Sequence, residues 1–282
     1  MKPGVYMISA ADYHADPCEA PSLSSHVANI LLRQSPLHAW WAHPRLNRNH
    51  QSQESGTFDY GKAAHAMLLE NDRAALVVVD ADDWRSKAAR EARDAAREAG
   101  KYPVLARQLA KVEAMVLEAK EAGRDFFAVG QAEQTLVWRE GDIWCRARPD
   151  WISNGHRMLD YKTTTNAEPG YLCERVLVQM GYDVQAAFYA RGYEAVHRGE
   201  IADLVFLFQE TEPPFACSLV SMSAAMWGIA QKKVERAIAI WTKCMSENRW
   251  PAYNQHIHYA EPTPWQLAQA ETADAISKDA DE

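Results

Sequence analysis

Residues 142–164 read DIWCRARPDWISNGHRMLDYKTT. Polar and apolar residues alternate through DIWCRARPDWI (142–152) and HRMLDYKTT (156–164), the period of a strand with one buried face. Ser153-Asn154-Gly155 between them is turn chemistry. Just upstream, AEQTLVWRE (132–140) shows the same alternation and is set off by Glu140-Gly141. The three runs predict a meander of antiparallel strands. If its second hairpin pairs around Ser153-Asn154-Gly155, Asp150 and Asp160 become near neighbours across it. Lys162, two residues after Asp160, then leaves the same face of the strand.

Outward from the meander the period changes. FDYGKAAHAMLLEN (58–71) reads as a helix with Ala64, Met67 and Leu68 on its apolar stripe. LVVVD (76–80) reads as a short strand, and 83–99 and 103–122 as helices with opposite charges three or four apart. Residues 20–44 read as two short helices, one capped by Ser24 or Ser25 and one started at Ser35-Pro36. NRNHQSQESG (47–56) has no periodic apolar pattern and reads as a loop. Downstream come a helix at 182–197, a strand pair at 203–209 and 215–221, and a long helix at 223–248. The organisation expected is one α/β (α+β) domain over 1–262, with a central mixed sheet, an antiparallel meander and flanking helices. Its N-terminal helical part, 1–57, packs on it, and the acidic tail 263–282 frays.

Composition bounds the function. Hydrophobic residues at 48% and charged residues at 24% are those of a soluble globular protein. No apolar stretch approaches the roughly 20 residues a bilayer span needs, and the start has no basic-then-apolar signal pattern. A cytoplasmic protein with no membrane partner is expected. The five cysteines, at 18, 145, 173, 217 and 244, form no C-x-x-C pair, which argues against a disulfide framework, a structural zinc or an iron–sulfur cluster. The net charge of −8 opposes non-specific DNA binding, which is driven by phosphate neutralisation. Either the chain does not touch nucleic acid, or it confines its basic groups to one groove.

Two carboxylates side by side on one sheet face repel unless a cation sits between them. Mg²⁺, bound by one or two carboxylates with phosphate oxygens and waters, resolves that repulsion for Asp150 and Asp160. Lys162 could hold or deprotonate an attacking water, or steady charge on a phosphate as a bond breaks. His65, on a helix that could pack over this sheet, could add a neutral imidazole. Metal-assisted phosphodiester hydrolysis needs this set. Each element alone has a plainer reading. Asp-x-Lys arises by chance about once in such a chain and serves as a solvated strand face. Pro149-Asp150 alone is a turn, and a lone His on an Ala-rich helix is more often packed or on the surface. Their order lifts the set: His on a helix, Asp after Pro, a tight hairpin, then Asp-x-Lys on a strand.

GKAAHAMLLE (61–70), CRARPDWI (145–152), LDYKTT (159–164) and VQAAFYARGYEA (184–195) resemble the successive motifs of the PD-(D/E)xK nuclease superfamily. They are most like its RecB-like branch and the phage and prophage exonucleases of the exodeoxyribonuclease VIII (RecE) type. The resemblance runs from PGVYMISAADYH through SLSSHVANILLRQSPLHAWW to RWPAY (249–253). It implies a restriction-endonuclease-like core. His65, within Gly61-x-x-x-His65, would be a metal ligand with Asp150, Asp160 and the backbone carbonyl of Tyr161, and Lys162 the catalytic lysine. Gln185 and Tyr189 match the Gln-x-x-x-Tyr motif that positions substrate or active site; a packed Tyr with a surface Gln is the other reading. Glu133, on the first meander strand, would be a possible extra acid. Some RecB-like relatives carry a four-cysteine iron–sulfur cluster, and nothing here supplies one.

The resemblance further implies Mg²⁺ as cofactor, with Mn²⁺ substituting, and a homo-oligomeric ring threading duplex DNA through a basic channel. Arg146 and Arg148, alternating toward Asp150, would line that channel and bind DNA. Such an enzyme works in a bacterial or phage-infected cell from duplex ends, 5′→3′, leaving a 3′ strand for a single-strand annealing recombination protein. The same site would also serve a structure-specific or single-strand endonuclease. A non-catalytic DNA-binding or assembly protein could keep the fold, but a retired site has no reason to retain four groups that repel or desolvate one another.

Overall fold

A computed structural model describes residues 1–50, 60–69, 73–154, 156–198, 203–270 and 272. The chain opens with β1 (Gly4–Tyr6), α1 (Ala10–His14), the two-residue β2 (Ser22–Leu23), α2 (Ser25–Arg33) and α3 (Pro36–Ala42). Ser24 and Ser35 cap α2 and α3 by accepting the amides of Val27 and His38, and Pro36 sits in the first turn, where its missing N–H costs nothing. Next come α4 (Tyr60–Leu69), β3 (Leu76–Val79), α5 (Lys87–Glu98), β4 (Tyr102–Leu105), α6 (Ala106–Ala122) and α7 (Arg124–Phe127). The middle third is β5 (Gly130–Ala132), β6 (Thr135–Glu140), β7 (Ile143–Ala147), β8 (Trp151–Ser153) and β9 (Arg157–Thr164). Then α8 (Pro169–Tyr171), a π-helical turn (Leu172–Val176) and α9 (Leu177–Gln179) lead to α10 (Tyr182–Val196), β10 (Asp203–Glu210), β11 (Cys217–Val220) and α11 (Ala224–Glu247). Contacts divide the chain into Met1–Pro251 and Ala252–Glu282. Among the described residues no helix is long and apolar enough to cross a membrane.

The expected meander is divided between two sheets. β6 and β7 belong to a four-stranded sheet of order β1-β6-β7-β2, and β8 and β9 to a five-stranded one of order β11-β10-β9-β8-β5. The second is mixed: β9 and β10 are parallel, and the other pairs antiparallel. The split leaves the pairing register unbroken. Ala132 faces Trp151 in one sheet and Leu136 faces Ala147 in the other, positions on one continuous antiparallel ribbon closed by the turn at Gly141 (φ +58°). The ribbon bends at Glu133–Gln134 on one side and Arg148-Pro149-Asp150 on the other. Pro149 has no N–H to give a ladder, so pairing stops where it stands. Glu133 therefore lies between β5 and β6 rather than on a strand. The stretch 103–122 also departs from expectation: 102–105 pairs with β3 as a parallel strand, and the helix begins at Ala106. Gly155 of the second hairpin and 51–56 of the expected loop lie outside the described residues.

β9 and β10 are buried on both faces. Met158, Leu204, Phe206 and Phe208 join the core made with α2, α10 and α11. Leu159, Tyr161, Val205 and Leu207 point the other way, into a second core with α4 and α6. This is the three-layer arrangement in which central strands read as near-continuous apolar runs. α10 reaches β6 because Gly192 gives way to Trp138, whose ring is 1% exposed; a Cβ at 192 would lie 2.6 Å from it. Alanine is the better helix former by about 1 kcal/mol, yet Gly192→Ala is expected to destabilise the protein by about 1–3 kcal/mol through overpacking. Urea unfolding checks the sign, and a more stable variant would refute the packing argument.

Candidate active site

The continuous register explains how three acids meet. Extended through the bend, it sets Glu133 opposite Asp150, and the Glu133 amide donates to the Asp150 carbonyl at 3.0 Å. The β8–β9 register, Trp151 to Leu159, likewise carries on to set Asp150 opposite Asp160. His65 arrives from α4, where Ala63 and Ala64, both fully buried, let the helix settle against α6 and β9. Its Nε2 lies 3.3 Å from Glu133 Oε1 and 3.3 Å from Asp150 Oδ1. One ligand atom from each of His65, Glu133 and Asp150 falls within 4.8 Å of the others.

Each member of the group is held by a neighbour. The Tyr161 amide donates to Asp150 Oδ2 at 2.8 Å. Gln185, from α10, donates to Asp160 Oδ2 at 2.6 Å, and Lys162 ion-pairs with Asp160 Oδ1. Arg148 Nε lies 2.8 Å from Glu133 Oε2 and donates to the Glu133 carbonyl at 3.2 Å. Glu133 is thereby kept at φ +58°, a left-handed conformation that costs a non-glycine residue on the order of 1–2 kcal/mol. Strain of this kind concentrates at functional sites.

The electrostatics follow from crowding. Burial pulls the His65 pKa down, but the charge and hydrogen bond of Asp150, with Glu133 and Asp160, push it up to about 9. Burial and the charge of Asp150 push Asp160 up to about 6 against the pull of Lys162. Burial works against ionisation of Asp150 too, yet His65, Lys162 and the Tyr161 amide hold it below the usual carboxylate range. Burial disfavours charge on Lys162 as well, but Asp160 and Asp150 outweigh it, so the side chain is an ammonium.

The sequence-derived candidates are brought together unequally. His65 and Asp150 converge, and the third member is Glu133, expected only as an extra acid. Asp160 stands outside that trio, engaged by Lys162 and Gln185. The Tyr161 backbone enters through its amide. Tyr189 is buried one helical turn from Gln185 and against its side chain, and it is Gln185 that reaches Asp160. Arg146 requires correction. It is 4% exposed, its guanidinium lies 3.2 Å from Asp16 Oδ1, and it donates to Ser22 and to the Tyr13 carbonyl. The bend after Ala147 leaves Arg146 beneath α1 and β2, where it cannot face DNA. Arg148, beyond the bend, does line the cleft but is committed to Glu133. Glu133 was readable: counting back from the turn at Gly141 sets it across from Asp150.

A cleft of about 1070 Å³ opens over the group, at the upper end of small-molecule pockets and wide enough for a polymer segment. Two carboxylate oxygens and an imidazole nitrogen suit a hard or borderline dication. Adjacent ligands of an octahedral ion at 2.0–2.1 Å stand about 2.9 Å apart, and the two 3.3 Å separations are close to that. His65, Glu133 and Asp150 therefore fit a divalent metal. Without metal, protons on Asp160 and His65 stabilise the folded state. That stability is present in full below their ordinary values of 3.8 and 6.5 and is lost as pH rises through about 6 and about 9. A metal must displace the His65 proton. The rise in melting temperature caused by Mg²⁺ or Mn²⁺ is therefore expected to grow between about pH 6 and pH 9, and to be lost in Glu133→Gln. A pH-independent increment would contradict this ligand set.

A Eubacterium rectale protein described as a candidate exonuclease shares the fold at a TM-score of 0.60 and 10% identity, covering 94% of this chain and 99% of that one. A phage-related exonuclease from Haemophilus somnus is a more distant structural match, with a TM-score of 0.27, 13% identity and coverage of 66% of this chain and 95% of its own. No curated protein matches the chain. The model of a family described as a PDDEXK-like domain of unknown function (DUF3799) matches residues 32–263. With that match spanning most of the chain, and the fold and acidic cluster in place, the chain belongs to the PDDEXK-like DUF3799 family.

Proposed function

We propose that the chain is a metal-dependent DNA exonuclease that hydrolyses phosphodiester bonds from duplex ends, 5′→3′, leaving a 3′ single strand for recombination. The observation that carries this reading is the convergence of His65, Glu133 and Asp150, with Lys162 and Asp160 beside them, in one open cleft. Glu133, Asp150 and neutral His65 hold the ion, and the Tyr161 amide and Arg148 keep the two carboxylates aimed at it. A dication bound there, Mg²⁺ or Mn²⁺, supplies Lewis-acid polarisation of the phosphate and an activated water. Gln185 fixes one oxygen of Asp160, leaving the other to orient the Lys162 ammonium. That ammonium offsets charge accumulating on the phosphate oxygens. Its raised pKa favours this role over general base.

The preference for ends, the polarity, the ring of copies around duplex and the annealing partner are supported by the family resemblance. The description of the Eubacterium rectale neighbour as an exonuclease agrees with the first of these. Linear and covalently closed circular duplex, incubated with Mg²⁺, test the reading. Linear DNA labelled at its 5′ end is expected to release label first, and the circle to survive. Asp150→Ala is expected to slow the reaction at least about 100-fold. Cutting of the circle would favour an endonuclease, and absence of any metal-dependent cleavage would favour a DNA-binding protein on the same fold.

A further inference from the structure

Outside the catalytic group, the cleft has a wall built from 84–107. α5 packs inward through Ala89 and Ala96, small residues that bring the helix close, and turns Arg93 and Arg97, one turn apart, toward the cleft. The helix ends at Gly100 (φ +69°), and the chain returns along β4, placing the exposed Lys101 and Arg107 on the same wall. Lys62, on α4, completes the set from the side of His65. Asp83 is the one carboxylate among the described lining residues apart from Glu133, Asp150 and Asp160.

This distribution is unusual for a chain with net charge −8. Arg107 sits in the first turn of α6, where the helix dipole disfavours a cation, so stability does not account for its place. Trp84 lines the same cleft, and charge combined with an aromatic face is what tracks a polynucleotide. A small anion would need one or two of these groups. Several cations lining the same cleft as the metal ligands suit a repeating polyanion whose scissile phosphate lies at those ligands.

We propose that Arg97, Lys101 and Arg107, with Arg93 held beside them by Asp94, form the backbone clamp for the nucleic acid that enters the site, binding successive phosphates on one side of the scissile bond. The clamp extends the nuclease reading by naming where substrate lies, but its binding can be measured without catalysis. Fluorescence anisotropy with a labelled duplex, in EDTA and over a range of salt, provides that measurement. Removing a phosphate contact lowers the slope of log K against log [salt] by about 0.9. The triple variant Arg97→Gln/Lys101→Gln/Arg107→Gln is therefore expected to lose about 2–3 from that slope and to bind at least about tenfold more weakly at 0.1 M salt. A charge-conserving Arg97→Lys/Lys101→Arg/Arg107→Lys variant is expected to keep most of the slope, which sets aside a folding defect. Lys120→Gln/Lys232→Gln/Lys243→Gln, at exposed positions outside the cleft, is the comparison. Equal slopes for the two glutamine triples would overturn the clamp. Loss of slope without Mg²⁺-dependent cleavage by the parent protein would leave the clamp standing and remove the nuclease reading.

Discussion

Repulsion among the carboxylates of Glu133, Asp150 and Asp160 is the constraint to which the rest of the site responds. Two like charges about 4 Å apart repel by roughly 4 kcal/mol at an effective dielectric near 20. Here the row is largely removed from water. Lys162 and Gln185 divide the two oxygens of Asp160, the Tyr161 amide and His65 take those of Asp150, and Arg148 and His65 take those of Glu133. A buried ion pair of this kind adds little net stability, but removing one partner exposes the full penalty of the other. The protonated His65 acts as the counter-charge that a dication would replace, which ties metal binding to the loss of a proton.

Placement of the row depends on a bend in an otherwise regular ribbon. One antiparallel pair runs from the five-stranded sheet into the four-stranded one without a slip in register, and the acids occupy the step where pairing lapses. Irregular backbone carried by rigid strands is where ligand-binding groups commonly sit. Pro149 ends the ladder on one side, and the left-handed Glu133 turns the other. The same bend separates two arginines only two residues apart. Arg146 stays in the four-stranded sheet and neutralises buried Asp16, while Arg148 reaches the metal group. Charge exposed toward substrate is supplied instead by the α5–β4 wall, whose helix resembles, in sequence alone, any solvated helix rich in Arg and Glu.

What the sequence by itself determined was local. Period-2 alternation and turn residues suffice to define the ribbon, to bring Asp150 beside Asp160 and to put Lys162 on the same face, because hairpin register is counted along the chain. Helical spacing likewise suffices to pair Gln185 with Tyr189. Only the tertiary structure decided the rest. His65 reaches the acids because Ala63 and Ala64 allow α4 (Tyr60–Leu69) to pack closely on α6 (Ala106–Ala122) and β9 (Arg157–Thr164), contacts between segments distant in sequence that no local pattern encodes. Glu133 becomes the third member of the metal group because the ribbon bends where it does. Arg146 is lost to the framework for a related reason: alternation specifies which face a side chain leaves, whereas burial depends on what later covers that face.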